Sequence, residues 1–518
     1  GKARTRKSTQ VTDVIRFGDQ PFAIVLLAIE YDRGPSETYV VPVAFAQDVD
    51  PVEAARTPSM VIANVVVAAE GRGSVSGTLY DALANDAFAI AMLVLIQGGQ
   101  GGRPGRGARG DVTGEALAAL RKVPGDAPLT PRMSVADQSN SGIVYGEQLM
   151  LKLFRVIEQG ASAELELGRQ LANVPDYHGT ARLAGVLEYH EQGADSTLAT
   201  LFEYVPNHGD AWQLTQDALD RYFDRLVSDD NRPEAPPIEP LPLVEQAQQQ
   251  VPDRAVDWLG PVLDRMRLLG KRTAELHLVL AANASPLFAP EPYDIMHQQS
   301  LYGSATAHVA RTFELLRGQR SALPPELVPL VERVLAREAQ LDQVLSAITK
   351  HRLEVVRTRV HGDYHLGQVL WTGDDFVIID FEGEPGRPLS QRRAKRNPLR
   401  DVAGLVRSLH YAGAAALRNG KHRPEDVAML QPWARAWSEW MSAAFVAGYL
   451  ERHRERTLEQ LGGGAVAIVP KRAADLSLLL EFFLIEKCVY EIRYELESRP
   501  DWVEIPLRDL LSLLPEPA

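Results

Sequence analysis

The chain has one cysteine in 518 residues, Cys488, so neither an intrachain disulfide nor a thiolate metal cluster is open to it. Its setting, EFFLIEKCVYEI, is that of a small buried hydrophobe. No apolar run approaches the twenty or so residues of a membrane span, and no signal-peptide arrangement stands at the start. A cytoplasmic location and no membrane partner are therefore expected. Positive charge is also in deficit: 55 Lys plus Arg face 68 Asp plus Glu, a formal charge of -13, which removes any general electrostatic case for nucleic acid. The glycines of GGQGGRPGRGARGDVTG lack the spacing of a dinucleotide or Walker loop and read as a flexible surface connection.

What is present suggests more than one packed unit. Apolar runs at 22–31, 39–46 and 61–69 read as strands, with a turn in DRGPSET. A helix is expected in SGTLYDALANDAFAIAMLVLI, with Asp81 near its start. SGIVYGEQLMLKLF suits a hairpin, ASAELELGRQLA a helix, and GVLEYH and TLATLFEYV further strands. Long helical patterns follow, broken by the proline-rich stretch 229–242. Four parts are expected: a cap over 1–95, a glycine-rich lead-in over 96–130, a small lobe over 131–206 and a helical lobe over 207–518. The fold class is α+β.

The segment richest in chemistry is HGDYHLGQ (361–368) followed by IIDFEG (378–383). Asp363 and Gln368 stand five apart, and Asp380 closes an apolar strand seventeen residues after Asp363. One carboxylate is so ordered beside an attacking hydroxyl and a second on a metal, while the Gln368 amide oxygen adds a ligand without charge. Asp363 is the expected base, and Asp380 with Gln368 the expected Mg2+ ligands against the phosphates of ATP. His361 and His365 form HxxxH without the glutamate of a zinc protease, so His361 reads as scaffold. For His365 a structural role and a substrate contact are both kept.

This run resembles the catalytic loop of aminoglycoside and sugar phosphotransferases, itself related to that of protein kinases, and Asp380-Phe381-Glu382 stands where protein kinases carry D-F-G. The resemblance implies a two-lobed protein-kinase-like fold with an additional N-terminal cap and makes Glu382 a further carboxylate for Mg2+. A kinase needs a cation over the phosphates: Lys152, in LMLKLF, is the candidate, with Glu166 as its ion-pair partner and Glu164 as the alternative. Ser139, Asn140 and Ser141 form a candidate phosphate-facing turn, and the backbone of Glu203, Tyr204 and Val205 a candidate adenine contact.

The chain is similar over nearly its whole length to bacterial maltokinases, especially those fused to trehalose synthase, through QSNSGIVYGEQLMLKLF, VPNHGDAW, LGKRTAELHLVLA, the block 361–412 and EKCVYEIRYELESRPDWVEIPL. That resemblance implies transfer of the ATP γ-phosphate to the anomeric hydroxyl of maltose, giving maltose 1-phosphate for α-glucan synthesis. Lys487, Tyr490, Glu491 and Tyr494 recur at helical spacing, and their cation, carboxylate and phenols suit a sugar wall. In maltokinases the matching lysine and tyrosines line the sugar site. The opening Gly1, in place of methionine, adds the expectation that the unit is fused to, or partners, a trehalose synthase. Two other readings stand beside this one: another sugar or amino-sugar kinase, glucosamine kinase included, and a catalytically silent kinase-like domain. Arg392, Arg393, Lys395, Arg396 and Arg400 form a basic run that suits either nucleotide steering or a solvated surface, and Asp401 reads as support for the catalytic loop.

Overall fold

Alternating burial organises the first part of the chain. In β2 (Phe22–Tyr31) the side chains of Phe22, Ile24 and Leu26 turn inward while their neighbours are half-exposed, the period of a sheet with one covered face. The computed structural model describes residues 4–47, 58–69, 73–98, 104–123, 129–134, 140–229, 234–235, 241–251, 253–459 and 467–515. Two compact units divide these between Pro206 and Asn207.

The first unit is built on one large, largely antiparallel sheet. β1 (Arg6–Arg16), β2, β3 (Glu37–Gln47), β4 (Val61–Ala69) and β5 (Gly73–Asp81) make one end, in the order β4-β5-β3-β2-β1. The path continues through β6 (Gly105–Arg106), β7 (Gly110–Ala116), β12 (Leu183–Glu191), β13 (Ala194–Glu203), β10 (Leu149–Leu153), β9 (Ser141–Tyr145) and β8 (Pro131–Met133), with β11 (Val156–Ile157) pairing to β3. The expected cap and small lobe thus share a single sheet, and one hydrophobic core runs from Ile15 to Leu201.

Two local expectations are corrected here. The glycine-rich stretch is not a surface connection where it is described: residues 105–116 supply β6 and β7, which join the two ends of the sheet, while 99–103 lie outside the described residues. Glycine serves closeness rather than flexibility, since a Cβ on Gly114 would stand 2.4 Å from the Leu95 carbonyl oxygen of helix α1 (Asp86–Gln97). The buried Asp13 fixes the turn between these strands by accepting from the N–H groups of Ala108, Arg109 and Gly110 and from the Tyr189 hydroxyl. The expected helix starts late: residues 76–81 of its run belong to β5, Asp81 is committed to the Leu83 N–H of a 3-10 turn, and Asn85 caps α1.

The second unit is helical around two short antiparallel strand pairs, one of them a hairpin. Its helices of ten residues or more are α3 (Ala211–Val227), α4 (Val262–Ala281), α5 (Ile295–Gln319), α6 (Leu399–Arg418), α7 (Pro424–Glu459) and α8 (Ala473–Ser498); α2 (Ala163–Ala172) belongs to the first unit. β16 (Val369–Trp371) and β17 (Phe376–Ile378) form one hairpin, and β14 (Glu291–Pro292) pairs with β15 (Val356–Arg357). Trp371 and Phe376 face each other across the hairpin with ring centroids 4.8 Å apart, and Arg272 of α4 clamps the turn residue Asp375 by two bonds of 2.7 and 2.9 Å. α6 is buried along most of its length and packs beside α7 and α8, where Cys488 is fully enclosed. Among the described residues no helix is long and apolar enough to cross a membrane.

Candidate active site

In the second unit the 361–368 loop is held from below by one carboxylate. Asp401, in the first turn of α6 and 2% exposed, accepts from the His361 N–H at 2.7 Å through Oδ2 and from the Gly362 N–H at 3.0 Å through Oδ1. His277 of α4 donates Nε2–H to the same Oδ2 at 3.2 Å, and its Nδ1 meets the Tyr449 hydroxyl of α7 at 3.0 Å. Burial by itself would raise the Asp401 pKa; the His277 and loop N–H contacts outweigh it and hold the group below its usual range. The helix N-terminus favours the same charge.

His361 adds the second tie. Its Nε2 is 2.9 Å from the Ile379 carbonyl oxygen and its Nδ1 accepts from the Asp363 N–H at 3.3 Å, so the imidazole links the loop to the strand end with a defined tautomer. The rings of Tyr364 and Phe381 pack against it. The Leu366 N–H donates to Ser408 of α6, and the Ile379 N–H donates to the Gln368 carbonyl oxygen at 3.0 Å. α6 can lie this close only because residue 404 is glycine: a Cβ there would stand 2.6 Å from the Tyr364 carbonyl oxygen.

Asp363, Gln368, Asp380 and Glu382 are all half-buried, so none of these oxygen donors is sealed in the core. Asp380 takes φ +65, a conformation that costs a non-glycine residue energy and persists only where its surroundings impose it. Arg392 of the basic run braces the following turn, donating to the carbonyl oxygens of Arg387 and Glu382. His365 is half-buried, and its Nδ1 accepts from the Gly367 N–H at 3.1 Å. Burial pushes its pKa down against the opposing pull of Asp363.

A pocket opens beside this loop, and Asp363, Lys487 and Tyr490 all line it. Lys487 Nζ lies 4.9 Å from the Tyr490 ring centroid, and burial raises the phenol's pKa, with Glu384 and Asp363 adding to the effect. Tyr494 stacks on Tyr490 at 6.3 Å but is 46% exposed and does not join the lining. Glu491 is corrected outright. It is 8% exposed and receives a 2.9 Å bond from Arg407 Nε of α6, so it turns toward the packed helix and not to the pocket wall. Two pocket carboxylates escaped the sequence reading, Glu384 and Glu486. Each is answered by arginine, Glu384 by Arg387 at 2.5 Å and Glu486 by Arg400 at 2.7 Å. The EGEPGRP run after Asp380 carried a signal for the first; Glu486 had none apart from lying one residue before Lys487.

The first unit carries the other candidates. Lys152 on β10 is buried, and its Nζ stands 3.2 Å from the Glu164 carboxylate of α2. The expectation had favoured Glu166. Glu164 is 1% exposed whereas Glu166 is half-exposed, and the two-residue offset puts them on different helix faces. Thr200 of the neighbouring strand also donates to Glu164, at 3.4 Å. Asn140 and Ser141 both engage Arg155, through its backbone N–H at 3.2 Å and its Nε at 3.1 Å; Ser139 lies outside the described residues. At the end of β13 the Glu203 N–H donates to the Arg182 carbonyl oxygen and the Tyr204 N–H to that of Gln148, both at 2.9 Å. An adenine contact at these two positions is thereby limited to their carbonyl side.

The chain is 26% identical over 441 residues to a glucosamine kinase of Streptacidiphilus jiangxiensis, covering 82% of this chain and 85% of that protein. It is 26% identical over 399 residues to a glucosamine kinase of Mycolicibacterium smegmatis, covering 76% and 80%. A solved glucosamine kinase in complex with glucosamine, ADP and inorganic phosphate matches with a TM-score of 0.57 at 20% identity, over 99% of this chain and 95% of that one, which bears on the kinase-like fold alone. Residues 90–383, from within α1 past Lys152, Asp363 and Asp380, match the phosphotransferase enzyme family, so more than half of the sequence establishes that this chain belongs to that family.

Proposed function

We propose that the protein is an ATP-dependent sugar kinase whose acceptor is maltose, phosphorylated at the anomeric hydroxyl to give maltose 1-phosphate and ADP. The observation that carries the sugar-kinase reading is that Asp363 shares its pocket with Lys487 and Tyr490, an acidic group beside a wall suited to hydroxyls. Asp363 orients the acceptor hydroxyl and takes its proton as the oxygen bonds to the γ-phosphorus and the bond from phosphorus to ADP breaks. His365, its Nδ1 committed to Gly367 and its pKa lowered, presents a neutral ring whose Nε2–H suits a sugar hydroxyl. In the first unit Lys152, set by Glu164, is assigned to the phosphates of ATP, with Ser139, Asn140 and Ser141 and the backbone of Glu203, Tyr204 and Val205 as its other nucleotide contacts.

Gln368, Asp380 and Glu382 fit Mg2+: all are oxygen donors, the bond from the Ile379 N–H joins the two segments, and Asp380 is held in a conformation it would not adopt unaided. Bound there, Mg2+ would supply charge neutralisation of the polyphosphate.

Maltose is favoured over an amino sugar because the pocket's further carboxylates are committed. Glu384 and Glu486 face arginines and Asp401 faces the loop, while Lys487 adds a cation that would repel an ammonium group. The similarity to maltokinases through the 361–412 block and the C-terminal helix points the same way. The relatives named glucosamine kinases make glucosamine the competing acceptor. With maltose as acceptor, a fused or associated trehalose synthase is the proposed source of it.

Product analysis with maltose, glucosamine and glucose tests the assignment, and a marked preference for either monosaccharide overturns maltose. Tyr490→Ala is expected to raise the maltose KM by roughly 5- to 150-fold, the equivalent of about 1–3 kcal/mol, with the ATP KM little changed. Tyr494→Phe should have the smaller effect, because Tyr494 is exposed and backs Tyr490. Unchanged maltose kinetics in the Tyr490 variant would remove this wall from the acceptor site.

A further inference from the structure

The basic run after the metal loop divides when it folds. Arg392 braces Glu382 and Arg400 pairs with Glu486, so both serve the site described above. Arg393, Lys395 and Arg396 instead line a second pocket of the same unit, which shares no lining residue with the first. Arg357 and Arg359, on and beyond β15, complete its cationic lining, and Glu291 is its one carboxylate. The lining of this pocket holds five cationic side chains and one acidic one, in a chain of net charge -13.

That single carboxylate is shared. Glu291 accepts from Lys395 Nζ at 2.9 Å and meets Arg357 at 3.0 Å. The Pro286 and Ala289 carbonyl oxygens, at 3.0 and 2.8 Å, take the other two N–H groups of Lys395, so it brings a fixed positive charge shared with Glu291 and no spare donor. Arg359 is almost wholly buried with its guanidinium 5.4 Å from the Phe288 ring centroid. Arg357 Nε is buried with no hydrogen-bond partner among the described residues, and the other face of this guanidinium meets His297, which is no anion at neutral pH. Backbone bonds in both directions, 2.8 Å each, tie Arg396 to Thr358 and so hold the two basic segments side by side. Burial lowers the Arg396 pKa, and the positive field of Arg400, Arg387 and Arg357 lowers it further, with only Glu486 opposing among the leading contributors.

We propose that this pocket, framed by Arg357, Arg359, Arg393, Lys395 and Arg396, is a binding site for the phosphate group of a small molecule. Planar guanidinium forks lining one pocket, with the fixed charge of Lys395 beside them, suit a tetrahedral, multiply charged oxyanion better than a single carboxylate. The site shares no lining residue with the sugar pocket and does not rest on the kinase assignment.

Isothermal titration with inorganic phosphate at fixed ionic strength tests it, using the full chain and the variants Arg393→Gln and Arg357→Gln. Any phosphate bound at the nucleotide site is retained in both variants, so the expected result is loss of one binding event, or a weakening of roughly tenfold or more, in each. Glucose 1-phosphate run in parallel tells free phosphate from a sugar-borne phosphoryl group, and loss of either response in the variants supports the site. Arg393 is half-exposed, which keeps its variant informative should Arg357→Gln unfold; turnover in phosphate-free buffer should equal that of the parent. Phosphate binding that is unchanged in both stoichiometry and affinity in a folded Arg393→Gln protein overturns the proposal, as does an equal response to chloride.

Discussion

Asp363→Asn is expected to lower kcat by about 10²- to 10⁴-fold while leaving the ATP KM within a small factor of the parent value. Asparagine preserves the side chain's size, and the Asp363 N–H can still donate to His361 Nδ1, so the loop keeps its shape. What disappears is the proton acceptor and the negative charge beside the acceptor hydroxyl. Single-turnover phosphoryl transfer, followed with radiolabelled ATP, separates this from slow product release. Near-parent transfer by the asparagine variant would remove Asp363 from the role of base and would leave the family assignment standing.

The base was legible in the sequence because its machinery is contiguous: Asp363, Gln368 and Asp380 lie within eighteen residues and carry their own strand signal. The Lys152 strand was legible for a similar reason, since its hairpin is local and alternating. The errors fall where a face is chosen by a distant element. Glu491 shares a helical stripe with Lys487, yet the buried Arg407 of α6 claims it, and nothing within α8 announces that arginine. Glu164 and Glu166 differ only in helix phase, which the strand beneath α2 decides through Lys152 and Thr200. The glycine-rich stretch failed differently. Composition alone cannot tell glycine used for freedom from glycine used for close approach, and the carbonyl of Leu95 opposite Gly114 settles which it is. The second pocket was half visible, as a basic run whose division between two sites depends on Arg357 and Arg359 from a strand some forty residues earlier.

Asp401→Asn is expected to cost about 1–3 kcal/mol of stability and to lower kcat by roughly 10²-fold, although Asp401 itself transfers no proton. Both carboxylate oxygens are acceptors here, Oδ1 for the Gly362 N–H and Oδ2 for the His361 N–H and His277 Nε2. An amide must turn its NH2 toward one of these donors, leaving a buried N–H facing another. Relief requires the loop to shift, and Asp363 follows it, being next in the chain and bonded to His361. Acid dependence gives a readout that a general loss of packing would not move. The Asp401 pKa is depressed in the folded state, so its contribution is fully present above the ordinary carboxylate pKa of about 4 and is lost as pH falls through the lower folded value. The parent should therefore lose stability relative to Asp401→Asn below about pH 4, with the two denaturation midpoints converging there. A stability gap that stays constant from pH 7 down through that window would show that Asp401 does not hold the loop by its charge, and full kcat in the variant would show that the loop does not depend on it.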